Sequence, residues 1–384
     1  MSIKKSKQPR IAELQLLRGF AFLAVVLQHA IGHYAYLPEA SLGDGIVLAL
    51  FLLAAKFAVP MFIFITGFVL FYNYRDGVQL VDFWLKRCKD IVLPYIMWSI
   101  LYVFVFDNQG VTLWNEIVKL PTYLTTGTAM YHLWYVVMVV PFYFIFPLLQ
   151  QVVRWILNVC TQRQIYLGLW VLVFAYMMLI ALQPSIANAF IAWNIPVLTP
   201  LFAEYSDRNT IFFFLYFVIG MVAGLNLPSW KQFLEKWTIG VISLYALTTC
   251  VLLYRIITHF YSNGSFKIHY NDTLLLQPLM AVFLVFSIMV MYIIAIKFYE
   301  RANPKCQFWL NYIGHYSYGA YLAHALMLVA AVYITDLCLP GWNATIRTII
   351  SFAICTVLSI AAARWLSSFK WIRFMTGTTV LQRK

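Results

Sequence analysis

The chain has 384 residues, 63% of them hydrophobic and only 11% charged, with a mean hydropathy of +0.79 and a net charge of +13. Soluble globular proteins lie near roughly 45–50% apolar and about 25% charged, so these values exclude a secreted or cytosolic soluble enzyme and a disordered tail. The excess of Lys and Arg is not read as a nucleic-acid surface, and no nucleic-acid partner is expected, because in a chain this apolar the location of the charges matters more than their sum.

In chain order, ten apolar segments approach or exceed the length needed to cross a ~30 Å hydrocarbon core. They fall at 11–32, 46–73, 91–106, 132–153, 164–183, 210–227, 237–259, 274–296, 312–335 and 342–366. The expected fold class is an all-α integral membrane protein, a bundle of about 10 transmembrane helices within a lipid bilayer. Pro60 predicts a kink or a half-helix end in the long second span. The third span is short on this reading, and its first half has room to start earlier.

Positive charge alternates with the spans. Lys4, Lys5, Lys7 and Arg10 precede the first; Arg75, Lys86, Arg87 and Lys89 lie between the second and third. Arg154, Arg163, Lys231, Lys236, Lys297, Arg301 and Lys305 fall in every second connection thereafter, and Arg364, Lys370, Arg373, Arg383 and Lys384 at the end. The other connections hold only Lys119, Arg208 and Lys267. By the positive-inside rule both termini are expected to be cytoplasmic. The basic then apolar N-terminus contains Arg18 and no small-residue cleavage site, which predicts an uncleaved first helix. No connection is long enough for a soluble domain. Residues 1–370 are expected as one transmembrane domain and 371–384 as a cytoplasmic tail.

Six cysteines are spread over both sides and within spans, which predicts no disulfide, and zinc-ligand spacing is absent, so no metal is expected. The chemistry must therefore come from ionisable groups at bilayer depth, each of which costs at least a few kcal/mol. The first span carries Glu13, Arg18, Gln28 and His29. Arg18 and His29 are eleven residues apart, which puts them on one helix face about 16 Å apart along the axis. One reading is a snorkelling arginine and a packing histidine. The other is a fixed cation for phosphate and a deeper imidazole able to take a proton from a hydroxyl.

Lys56 lies in the second span, open to an anion or to a structural carboxylate. The run Lys86-Arg87-Cys88-Lys89 reads either as a positive-inside anchor or as part of a phosphate site with Arg18. His132, before Trp134, opens the fourth span. Ser317, Tyr321 and His324 fall at i, i+4 and i+7 on one face of the ninth, with His315 preceding them; a polar seam between helices gives the same pattern.

Six stretches carry a resemblance. LLRGFAFLAVVLQH (Leu16 to His29), KFAVPMFIFITGFVL (Lys56 to Leu70, with Thr66 where Ser is more usual) and KRCKDIVLPYIMWSILY (Lys86 to Tyr102) come first. YHLWYVVMVVPFYFIFPLL (Tyr131 to Leu149), FVIGMVAG (Phe217 to Gly224) and IGHYSYGAYLAHALML (Ile313 to Leu328) follow. In this order the set resembles the membrane-bound acyltransferase-3 family, in its form without a fused esterase-like domain. The region 160–210 and the tail match no motif.

The resemblance implies transfer of an acyl group, acetyl by default and succinyl as an alternative, from cytoplasmic acyl-CoA. The acceptor would be a hydroxyl of an extracytoplasmic glycan or lipid-linked sugar, such as an exopolysaccharide, at the bacterial plasma membrane. Arg18, Lys56, Lys86, Arg87 and Lys89 would bind acyl-CoA, and His29 would act as general base. His132, Trp134, Ser317, Tyr321 and His324 would line or support the acceptor site. The carboxylate partner of His29 stays open among Glu39, Asp44, Glu116, Glu204 and Asp272, since Glu13 is ~24 Å away along the same helix. A polysaccharide or lipid-linked sugar exporter is the alternative function.

Overall fold

The structure is a computed structural model describing residues 9, 11–75, 77–106, 113–262 and 265–377. Lys4, Lys5, Lys7, Arg10, Arg383 and Lys384 lie outside the described residues. Among these residues nine helical stretches are long and apolar enough to cross a membrane, and a bent pair brings the number to as many as ten. The all-α membrane bundle read from the sequence is the architecture observed.

The first helix, α1 (Ala12–Tyr34), is the axis of the bundle, packed against α2 (Leu42–Ala55), α3 (Ala58–Asn73), α14 (Pro304–Cys338) and α15 (Ala344–Ser368). The long second span is α2 and α3 in series, and it breaks at Lys56–Phe57, one turn before Pro60. That is where the expected proline break falls, because Pro60 has no N–H for the Lys56 carbonyl and its ring crowds it, and Pro60 itself sits in the first turn of α3. The third span does begin earlier, as α4 (Leu80–Arg87), and reaches α5 (Leu93–Phe106) through one wide turn. In that turn the Leu93 amide donates five residues back to the Cys88 carbonyl, a π-type widening that re-aims the side chains that follow.

Both longer connections are helical. The first holds α6 (Leu113–Thr126), ahead of α7 (Trp134–Val159) and α8 (Gln162–Ala181); the second holds the short α9 (Gln183–Trp193). The sixth span ends at α10 (Phe214–Leu225), and α11 (Leu227–Lys236) turns away by 108°. Then come α12 (Thr238–His259), a two-residue antiparallel β-pair at Tyr261–Ser262 and Ser265–Phe266, and α13 (Pro278–Arg301).

Helices in lipid gain no hydrophobic drive toward one another, so close backbone approach does the work. Glycines supply it at two seams. A Cβ at Gly220 would run into the Phe64 carbonyl and one at Gly224 into that of Phe68, which locks α10 onto α3. A Cβ at Gly314 would meet the Gln15 carbonyl, which brings α14 onto α1. Residues 371–377, the described part of the expected tail, pack against the bundle. The Trp98 indole donates to the Met375 carbonyl at 2.9 Å, Thr376 is buried, and Gly377 (φ 60°) sits against the Asp90 carbonyl.

Candidate functional site

Two cavities open from opposite ends of α1. The first has Arg18 in its wall, a pocket of about 230 Å³ that also meets Arg87, Asp90, Tyr135, Tyr143, His315, Ser317, Tyr318 and Tyr321. It continues into a vestibule of about 830 Å³ through Arg18, Val69, Asp90, His315 and Gly377, which line both. The π-type turn after Arg87 and the close approach at Gly314 shape this space.

Arg18 touches the Gln15 amide oxygen at 3.5 Å, and Arg87 lies over the rings of Phe83 (5.3 Å) and Tyr143 (5.2 Å). Neither guanidinium forms an ion pair among the described residues. Glu13, the acidic group nearest in sequence to Arg18, is engaged by Lys231 of α11. Two cations and one carboxylate, Asp90, leave this cavity an excess of positive charge, which is costly within a membrane bundle unless an anion uses it.

The second cavity, about 540 Å³, is lined by His29, Gly32 and His33 of α1, by Met130 and Tyr131, and by Ala325, Leu328, Val329 and Val332 of α14. The His29 ring lies 4.5 Å from that of Tyr131 and 5.2 Å from that of His324. His324 lies 4.5 Å from His132, so three imidazoles form a cluster behind the cavity wall. The His324 Nδ1 is bonded to the Tyr321 carbonyl, while its Nε2 and both nitrogens of His132 are buried without a hydrogen-bond partner. No group of three or more His, Cys, Asp or Glu among the described residues has metal-binding geometry.

Between the cavities stands Tyr321. Its ring borders the Arg18 cavity and lies 5.2 Å from His132 and 5.7 Å from His324, and its hydroxyl donates to the His132 carbonyl. The two spaces share no lining residue, and Tyr321 of the first touches the imidazoles beside the second.

Of the residues singled out in the sequence, Arg18, Arg87, Ser317, Tyr321 and His315 meet around the first cavity, and His29, His132 and His324 behind the second. Lys56 departs from the phosphate group expected for it. It caps α2 next to Ala55, whose carbonyl accepts from Gln28 at 2.9 Å, so it shares the depth of His29 and not of Arg18. Lys86 and Lys89 are exposed and outside both cavity walls. Trp134 packs on Phe213 (6.1 Å), away from the imidazoles.

None of the proposed carboxylates contacts His29. Glu39 pairs with Arg347 at 3.0 Å, and Asp44 closes a capping box with Ser41 and accepts from Thr345. Glu116 holds Lys119 and Tyr123, and Asp272 holds Arg255 and His259. Glu204 is exposed. Tyr131, His33 and Asp90 are the cavity residues that sequence reasoning missed. His33 carried a signal, being four residues past His29 and so on the same face; Tyr131 and Asp90 carried none.

A family model described as an acyltransferase domain, acyltransferase-3, matches residues 11–364, nearly the whole chain. The chain belongs to the acyltransferase-3 family. Neither the comparison with curated proteins nor that with solved structures finds a match. Membership in an acyltransferase family makes this acyltransferase-3 protein a multi-pass membrane enzyme of acyl transfer. Its helices α1, α3, α5, α7, α10 and α14 carry the motifs quoted above and form the walls and seams just described.

Proposed function

We propose that the protein transfers an acyl group, acetyl by default, from cytoplasmic acyl-CoA to a hydroxyl of an extracytoplasmic glycan or lipid-linked sugar in the bacterial plasma membrane. The observation that carries this reading is the pairing of unlike cavities along α1. Two guanidiniums that form no ion pair among the described residues share a cavity with Asp90 at one end, and an imidazole lies at the other, about 16 Å further along the helix. The alternation of Lys and Arg puts the guanidinium end in the cytoplasm.

In this reading Arg18 and Arg87 hold the phosphates of CoA, since guanidinium keeps its charge and matches phosphate geometry. The thioester arm then runs past Tyr321, whose side chain has to swing off the His132 carbonyl to admit it. The acceptor hydroxyl oxygen attacks the thioester carbonyl carbon, a C–O bond forms and the C–S bond breaks. The hydroxyl proton passes to His29 and from there to the departing thiolate, which leaves as CoA thiol. Tyr131 and His324 orient the His29 ring in place of a carboxylate. An exporter would need one substrate site seen alternately from both sides; two cavities of different chemistry favour transfer.

The test follows label from acetyl-CoA carrying a radioactive acetyl group into cell-envelope material in the parent and in His29→Ala. Labelling is expected to fall at least a hundredfold, with acetyl-CoA binding retained. Equal labelling in the two would remove His29 from the chemistry.

A further inference from the structure

The His29 cavity differs from a water-filled cleft in what surrounds it. On the α1 side a Cβ added at Gly32 would meet nothing within 4 Å. The opposite wall is aliphatic, made of Leu328, Val329 and Val332 of α14. Val329 is 52% exposed, and Tyr333, one turn further on, is 70% exposed. Tyr36 and Trp342, in the connections after α1 and before α15, are exposed at the same end.

Exposed tyrosine and tryptophan on a membrane bundle mark headgroup level, and an exposed valine just below them faces acyl chains. With an exposed Val329 in its wall, the cavity has a side that faces acyl chains at the His29 end. His29 lines the same cavity, with the exposed ring of Tyr131 beside it.

We propose that the acceptor reaches His29 laterally through this crevice, and that it is an amphiphile, a hydroxyl-bearing saccharide head carried on a lipid chain. This inference rests on the reading of His29 as the base in acyl transfer. A free saccharide coming from water would have to press its hydroxyls against Leu328, Val329 and Val332 without hydrogen-bond partners, which costs free energy for each group left unpaired. A lipid chain meets the same wall on equal terms with the bilayer. Its head then lies against Tyr131 and His33, which offer an aromatic face to the sugar ring and polar tips to its hydroxyls. The bonds made and broken are those of the transfer step above.

The experiment uses the host's own membranes, short pulses of acetyl-CoA labelled in the acetyl group, and separation of organic-extractable lipid from water-soluble and polymeric material. Early label is expected in a saccharide-bearing lipid. Gly32→Phe and Val332→Trp, which fill the crevice from its two sides, are expected to cut that labelling at least tenfold. Acetyl-CoA binding by each purified variant should stay within twofold of the parent, which also reports that it has folded. Early label confined to polymer or water-soluble glycan, or full labelling in both variants, would overturn the lateral route while leaving acyl transfer standing. A parent that leaves its own membranes unlabelled would sink the transfer reading and this one with it.

Discussion

The two ends of α1 solve opposite solvation problems. The Arg18 end gathers permanent charge: two arginines, Asp90, His315 and a ring of tyrosine hydroxyls around a space that widens toward the end of the bundle. The His29 cavity is lined by imidazole and phenol on one side and aliphatic carbon on the other, with Lys56 at the same depth. A fixed cation needs water or an anion, so its cavity has a mouth at the membrane surface. An imidazole can be neutral and tolerates lipid nearby, and it keeps the lone pair that a general base requires. On the proposed reading, the difference divides anion binding and proton transfer between depths, with Tyr321 bordering the Arg18 cavity and touching the imidazoles.

The comparison can be broken most sharply at the imidazole end. His29→Gln keeps a polar side chain without basicity and is expected to lower the transfer rate by a factor of about 10²–10⁴, the usual contribution of a general base. Acetyl-CoA affinity should change by less than twofold; a matching loss of affinity in equilibrium binding would mean that the ends are not separate.

At the other end, Arg18→Ala removes charge-assisted hydrogen bonds worth about 1.5–3 kcal/mol, so acyl-CoA affinity should weaken roughly ten- to a hundredfold. Calorimetric titration of the purified protein with acetyl-CoA checks this, and unchanged affinity would move the phosphate site elsewhere.

The boundary itself is probed by Tyr321→Phe, which deletes the hydroxyl that latches the ring to the His132 carbonyl. One net hydrogen bond is worth about 1 kcal/mol, so acetyl-CoA turnover, including hydrolysis without acceptor, should rise by less than about tenfold. Release of CoA thiol gives the readout, and a fall in turnover would make the phenol part of the site and not its closure. The smallest effect is expected from Lys86→Ala and Lys89→Ala. Both side chains are exposed and outside the cavity walls, so acetyl-CoA affinity should stay within about twofold at moderate salt, where exposed charges are screened. A tenfold loss would extend the phosphate site out to the surface.

Much of this protein was legible without coordinates. The apolar runs set the spans, because a bilayer admits few alternatives to helices in which every backbone group is paired. Helical periodicity put Arg18 and His29 on one face, and it put Ser317, Tyr321 and His324 on another; those two faces meet along the α1–α14 seam. The break at Lys56–Phe57 was legible from Pro60, which lacks the N–H for the Lys56 carbonyl one turn earlier and crowds it.

Tertiary structure decided what spacing along one helix cannot express. It left Lys56, Lys86 and Lys89 outside the Arg18 cavity and brought Arg87 into it, against the rings of Phe83 and Tyr143. It assigned Glu39, Asp44, Glu116 and Asp272 to other partners and set Tyr131 beside His29. It also set residues 371–377 against α5. Sequence fixes which groups share a helix face, since the α-helix has a rigid period. Only packing fixes which faces meet, because in lipid that choice rests on the shape of close contacts such as Gly314 on Gln15 and Gly220 on Phe64.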